Sequence, residues 1–163
     1  MLATLLRTST GAKLAAFMIS KRGQTLDRWC LTRLGISPMM LVVSKREGFA
    51  PMPLLVIHSI GRKSGQPRSA VMPYVRMDGK RYVVASNGNN LEKDPAWVDN
   101  LRAKSDISIT VDRKTIKVRA RLLDPASEER ARLWVLAVVA SPLYQTFQNG
   151  TTRRIPVIAL DET

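Results

Sequence analysis

The sequence predicts an α+β fold: six mostly antiparallel strands with flanking helices, arranged as an antiparallel sheet or small barrel. Three observations carry this. Short apolar runs alternate with tight turn signals. Strands outnumber helices, and most are too close together for parallel crossovers. The glycine pattern GxGxxG of a dinucleotide-binding βαβ unit is absent.

The elements follow in order. Residues 2–20 place Leu2, Leu5, Leu6, Leu14, Phe17 and Met18 near helical spacing, with Arg7 and Lys13 in the polar gaps. A second helix over 24–34 carries Leu26, Trp29, Cys30 and Leu34 and ends at Gly35. Strands are expected at 53–60, 69–77 and 81–86, the last two joined by the turn signal Asp78-Gly79-Lys80. A helix over 94–104 starts with Asp94 as its cap and Pro95 at its first position. Alternating residues at 106–112 and 115–123 form a hairpin. A helix over 125–139 has Ser127 as cap and Glu128 and Glu129 in its first turn, and 154–160 is the last strand.

Composition narrows the function classes. At 163 residues the chain has the size of one domain, and its 45% hydrophobic content allows a core without staples. The single Cys30 cannot form an internal disulfide and reads as a small, partly buried hydrophobe. The formal net charge of +13 favours anionic partners. No apolar run reaches membrane-spanning length, no secretory leader is evident, and the expected location is cytoplasmic. Residues 1–36 read as a cationic amphipathic arm, either folded over the domain or attached at the inner face of the cell membrane. The main domain is then 37–163. Neither a Ser-His-Asp set, nor a metal cluster, nor paired carboxylates are evident, so no metal site is expected. His58, the only histidine, lies within an apolar strand and reads as structural.

The strongest local signal is "SIGRKSGQPR" at 59–68. Gly61 and Gly65 permit close backbone approach, Arg62, Lys63 and Arg68 supply cations, and Ser64 adds a hydroxyl. By physics alone this is either a solvated hairpin or an anion cradle. "VVASNGNN" at 83–90 then places Ser86, Asn87 and Gly88 at a strand end.

Together "GRKSGQPR", "YVVASNG", "PAWVDNLRA", "RARLW" and "TTRRIPVIAL" resemble, in order and spacing, the deazaflavin (F420)-dependent nitroreductase family over about residues 53–160. The resemblance implies a split β-barrel and coenzyme F420, a deazaflavin carrying a phosphodiester and a polyglutamate tail, with hydride transfer to a quinone, nitroaromatic or similar conjugated acceptor. It implies that Arg62, Lys63, Ser64 and Arg68 hold the phosphodiester and nearby carboxylates of the cofactor. Ser69, Ala70, Val71, Met72 and Pro73 would line the deazaflavin edge, with Val84, Ala85, Ser86 and Asn87 on the next strand. Ala96, Trp97, Val98, Asp99 and Asn100 would complete the pocket. Trp97, Tyr144 and Phe147 would face substrate, and Ser86 is the candidate proton source. The family's pattern is broken at Val71, where a proline is usual, at Val98-Asp99, and at Phe147, where a tyrosine is usual. Such changes alter the acceptor before the cofactor. A monomer is expected. The alternatives are an FMN- or FAD-binding relative or cofactor carrier, and a basic module on membrane or nucleic acid. Nucleic acid is disfavoured by aromatic content of only 6% and by the lack of a recognition motif.

Overall fold

The structure, a computed structural model, describes residues 17, 20–88 and 90–163. The helix expected at 2–20 lies almost wholly outside the described residues. Six strands, β1 (Leu54–Ile60), β2 (Pro67–Met77), β3 (Lys80–Val84), β4 (Asp106–Val111), β5 (Lys114–Leu122) and β6 (Val157–Glu162), close into a barrel in the order β1-β2-β3-β6-β5-β4. All pairs are antiparallel.

Turn chemistry sets the register. Asp78 and Gly79 have φ of 52° and 77°, and Asp112 and Arg113 have φ of 49° and 63°. Left-handed pairs of this kind match the twist of the strands they join. Inside the barrel, Leu55, Ile57, Val83, Ile109, Val118, Ile158 and Leu160 form the core. Helix α3 (Ala96–Ala103) adds Trp97, Val98 and Leu101 to it. A second core on the outer face packs Tyr82, Val84, Val157 and Ala159 against α4 (Glu128–Ala140) and α5 (Leu143–Asn149).

Helix α1 (Lys21–Leu34) starts at Ser20, whose hydroxyl accepts from the Gly23 N–H, and ends at Gly35 with φ 74°. Helix α2 (Pro38–Glu47) has no counterpart in the sequence expectation. Its start is fixed by Ser37, which accepts from the Met40 N–H, and by buried Asp27 of α1. The Asp27 carboxylate accepts from Ser37 Oγ at 2.8 Å and from the Met39 N–H at 2.8 Å. These contacts join the two sides of the boundary drawn at residue 36. Helix α5 is likewise additional.

Two local expectations change. Asp94 does not cap α3, whose cap position is Pro95 with no side-chain hydrogen bond. Its carboxylate is instead taken by Arg102 and Arg153, both at 2.7 Å. The last strand begins at Val157 rather than 154, because Arg153, Arg154 and the Ile155 N–H are engaged elsewhere. Ser127 caps α4 as expected.

Candidate functional site

The β1–β2 loop closes on itself. The Gly61 N–H donates to the Gln66 carbonyl at 2.9 Å and the Gly65 N–H to the Gly61 carbonyl at 2.8 Å. Gly65 has φ 65°. A Cβ at Gly61 would stand 2.7 Å from Ser64 Oγ and 3.4 Å from the Gln66 carbonyl oxygen, so a larger residue would displace the Ser64 hydroxyl. Asn100, 8% exposed, braces it from α3: its Oδ1 accepts from the Arg62 N–H at 3.0 Å and its Nδ2 donates to Ser59 Oγ. Arg62 pairs with Asp99 at 3.3 Å. Exposed Lys63 and Arg68, by contrast, have no carboxylate partner among the described residues.

Strand β2 changes partners along its length. Residues 67–73 pair with β1 and 74–77 with β3, so the first half has an edge with no neighbouring strand. Two cavities open along that edge and share Met40 and Val43 of α2, together with Met72 and Pro73 of β2. The larger, about 450 Å³, reaches Ser69, Ala70, Val71 and Arg28. The other, about 370 Å³, is lined by Val84, Ala85, Ser86, Asn87 and Gly88, with Trp97, Tyr144 and Phe147 opposite. Helix α2 therefore roofs both. Arg28 of α1 donates to the Ser69 carbonyl at 3.5 Å.

The anticipated residues thus fall into three groups. Ser69 to Pro73, Val84 to Asn87, Trp97, Tyr144 and Phe147 line the paired cavities. Arg62, Lys63, Ser64 and Arg68 form the adjacent loop. Val98 is fully buried in the barrel core, Asn100 supports the loop, and Ala96 is exposed and lines neither cavity. His58 is satisfied on both sides, by Ser69 Oγ at 3.0 Å and Thr110 Oγ1 at 2.8 Å. Burial, and then the charge of Arg28, hold its pKa below the usual histidine value.

Sequence reading missed α2 and Arg153. Arg153 Nη1 donates to Asp94, Nη2 to the Ser86 carbonyl at 2.9 Å and Nε to the Leu91 carbonyl. One guanidinium thereby fastens the loop that carries Ser86 and Asn87. The cap signals of α2 were present, in Ser37-Pro38 and Gly48. Arg153 offered no local signal.

The Tyr144 and Ser86 hydroxyls make no hydrogen bond among the described residues, and neither is sealed from the cavity. Burial raises the Tyr144 pKa, so the phenol stays protonated at neutral pH. Phe147 lies against Gly88, where a Cβ would stand 3.2 Å from its ring. The site thus combines an apolar slot, two free hydroxyls, an unpaired strand edge and a basic loop.

Comparison with known proteins gives a consistent result. The family model for F420H(2)-dependent quinone reductase matches residues 40–162. An F420H(2)-dependent quinone reductase of Mycobacterium tuberculosis is 34% identical over 146 residues, covering 83% of this chain and 97% of the relative. A homologue from Mycobacterium bovis, named a putative enzyme of the same kind, shows the same identity and coverage. Among solved structures, an F420-H2 dependent reductase shares 35% identity with a TM-score of 0.60 over 67% of this chain and 94% of its own. A structure described as a domain-swapped dimer has the same identity and TM-score, covering 67% of this chain and 80% of its own. The heme binding protein of Mycobacterium smegmatis, at 14% identity and a TM-score of 0.52 over 69% of this chain and 47% of its own, shares the fold alone. The chain belongs to the F420H(2)-dependent quinone reductase family.

Proposed function

We propose that this chain reduces a quinone with F420H2, using the paired cavities under α2. The observation that carries the reading is the apolar slot along the unpaired half of β2, set beside uncommitted Lys63 and Arg68. The residues fit the cofactor. Lys63, Arg68 and the turn of Ser64 would hold its phosphate and carboxylates, since guanidinium and ammonium groups without a carboxylate partner favour such anions. Met72, Pro73, Val84, Ala85 and Trp97 would hold its planar ring system. Asn100 and Asp99 act one step back, by fixing Arg62.

When bound, the reduced cofactor supplies a hydride. The chain then orients the acceptor and excludes water, with α2, Phe49 and Met52 closing the slot. Ser86 and Tyr144 line the slot where the acceptor oxygens would lie, and Ser86 would relay to one of them a proton taken up from solvent, which with the hydride completes the hydroquinone. Phe147 donates no hydrogen bond, so polar recognition of the acceptor falls to Ser86 and Tyr144. The preference for a quinone over a nitro compound rests on the family.

The test is a titration of the full chain with F420 and, separately, FMN, followed by fluorescence. Saturable F420 binding and weaker FMN binding are expected, with menadione reduced by F420H2. FMN binding alone would reject the reading.

Attachment to a membrane surface is favoured by one observation: Trp29, Leu34, Ile36 and Leu41 are all about half exposed (54, 59, 52 and 48%), beside Arg33 at the end of α1. Among the described residues no helix is long and apolar enough to cross a membrane. The expected behaviour is flotation with anionic vesicles that is lost in Trp29→Ser/Leu34→Ser. The expected monomer is not favoured: a structure at 35% identity is described as a domain-swapped dimer, which supports a dimer here as well. Light scattering in the same preparation should give twice one chain's mass.

A further inference from the structure

A third cleft, about 720 Å³, is bounded by Leu122, Leu123 and Pro125 on one side and by residues 153–156 on the other. It is lined by five cations, Lys93, Arg102, Arg130, Arg153 and Arg154, against three carboxylates, Glu92, Asp94 and Asp99. Asp94 and Asp99 are already engaged. Arg102 bonds to both at 2.7 and 3.0 Å, and Arg153 bonds to Asp94.

Arg130 and Arg154 differ from the rest. Neither has a carboxylate partner among the described residues. Arg154 donates Nη1 to the Pro125 carbonyl at 2.9 Å. Arg130 is only 8% exposed. Its Nη2 donates to the Ile155 carbonyl at 3.0 Å, and its guanidinium carbon lies 5.2 Å from the centre of the Trp134 ring. Its other nitrogens make no hydrogen bond among the described residues, none of them is fully buried, and the residue lines the cleft. Buried charges are ordinarily paired. Here the opposite holds: burial and then the charge of Arg154 both disfavour the Arg130 cation.

We infer that this end of the cleft is an oxyanion site, in which Arg130 and Arg154 together hold a carboxylate or phosphate group. An anion there would replace the repulsion between two arginines with two charge-assisted interactions, and the free donors of Arg130 would be used. The volume is that of a small-molecule site. Two sources share this chemistry: a free anion, and the glutamate tail of the cofactor. The tail source rests on the proposed function. It is suggested by Asp99, which lines this cleft and also holds Arg62 of the basic loop. The free-anion source is independent of that function.

The experiment follows the arginine Nε–Hε signals of the full chain by NMR during titration with inorganic phosphate and with tri-γ-glutamate at constant ionic strength. Saturable shifts of the Arg130 and Arg154 signals are expected, weakened about tenfold in Arg154→Ala. Arg154 is exposed, so this variant keeps the fold even if Arg130→Met does not. In parallel, F420 carrying no glutamate and F420 with a long tail are bound to both proteins by fluorescence. If Arg154→Ala weakens only the tailed form, the tail is the occupant. If it weakens only phosphate binding, a free anion is. Phosphate binding at Arg154 in a chain that fails to bind F420 would keep this site and reject the proposed function. Non-saturable shifts together with unchanged binding of tailed F420 in Arg154→Ala would overturn the site.

Discussion

The two loops beside the cavities are built in opposite ways. The loop at 61–66 is closed by its own backbone bonds, and two of the nearby cations, Lys63 and Arg68, remain without carboxylates. Residues 85–88 and 90–94 have almost no regular structure and are held from outside by Arg153. Cations in the first face solvent, whereas the guanidinium serving the second is half-buried against carbonyls and Asp94. A basic residue that is internally saturated positions the chain. One left unsaturated is available to a ligand.

That contrast can be broken at its strongest point with Arg153→Ala. The Ser86 and Leu91 carbonyls and Asp94 would lose a shared donor, which should cost about 2–3 kcal/mol of stability. Urea unfolding would register this as a lower midpoint, and F420 affinity should fall with it because the wall at 84–87 loosens. Arg153→Lys should recover less than half of either, since one ammonium cannot reach both carbonyls and Asp94 as the planar fork does. Lys63→Ala and Arg68→Ala should behave the other way. Affinity for F420 should fall about tenfold, with stability changed by no more than about 0.5 kcal/mol. Equal stability losses in both sets of variants would erase the distinction between the loops.

The smallest effect concerns His58, which links β1 to Ser69 at the edge of the larger cavity. Its folded pKa is depressed by burial and by Arg28. The unfolded chain therefore binds this proton more readily. The contribution of His58 is present in full above the unfolded value, about 6.5, and is lost as pH falls through the lower folded value. Melting temperatures at pH 7.5 and 5.5 should differ less in His58→Asn than in the parent chain.

What the sequence made legible follows from the range of the forces involved. All six strands were readable, because alternation and turn pairs such as Asp78-Gly79 act over two to eight residues. The basic loop was readable for the same reason. Helix α2 carried local cap signals in Ser37-Pro38 and Gly48, but its apolar run "MMLVV" has little amphipathic pattern to confirm them. Its role depends on Asp27, ten residues away from Ser37 and in another helix. Asp94 read as a cap because only its neighbours were visible. Its actual partner, Arg153, lies 59 residues later. Arg153 and Arg154 stand side by side as an ordinary basic pair, yet one is a brace and the other has no carboxylate. Only tertiary contact separates them.

Helix α2 is flanked by left-handed glycines at 35 and 48, with φ of 74° and 77°. Met39, Met40 and Val43 of this helix line the two cavities, opposite Met72 and Pro73 of the barrel strand β2. Exchange of the span between the two glycines would change the lining of both cavities while leaving the six-strand ladder of the barrel as it is, provided the Asp27 contacts to Ser37 and Met39 are kept.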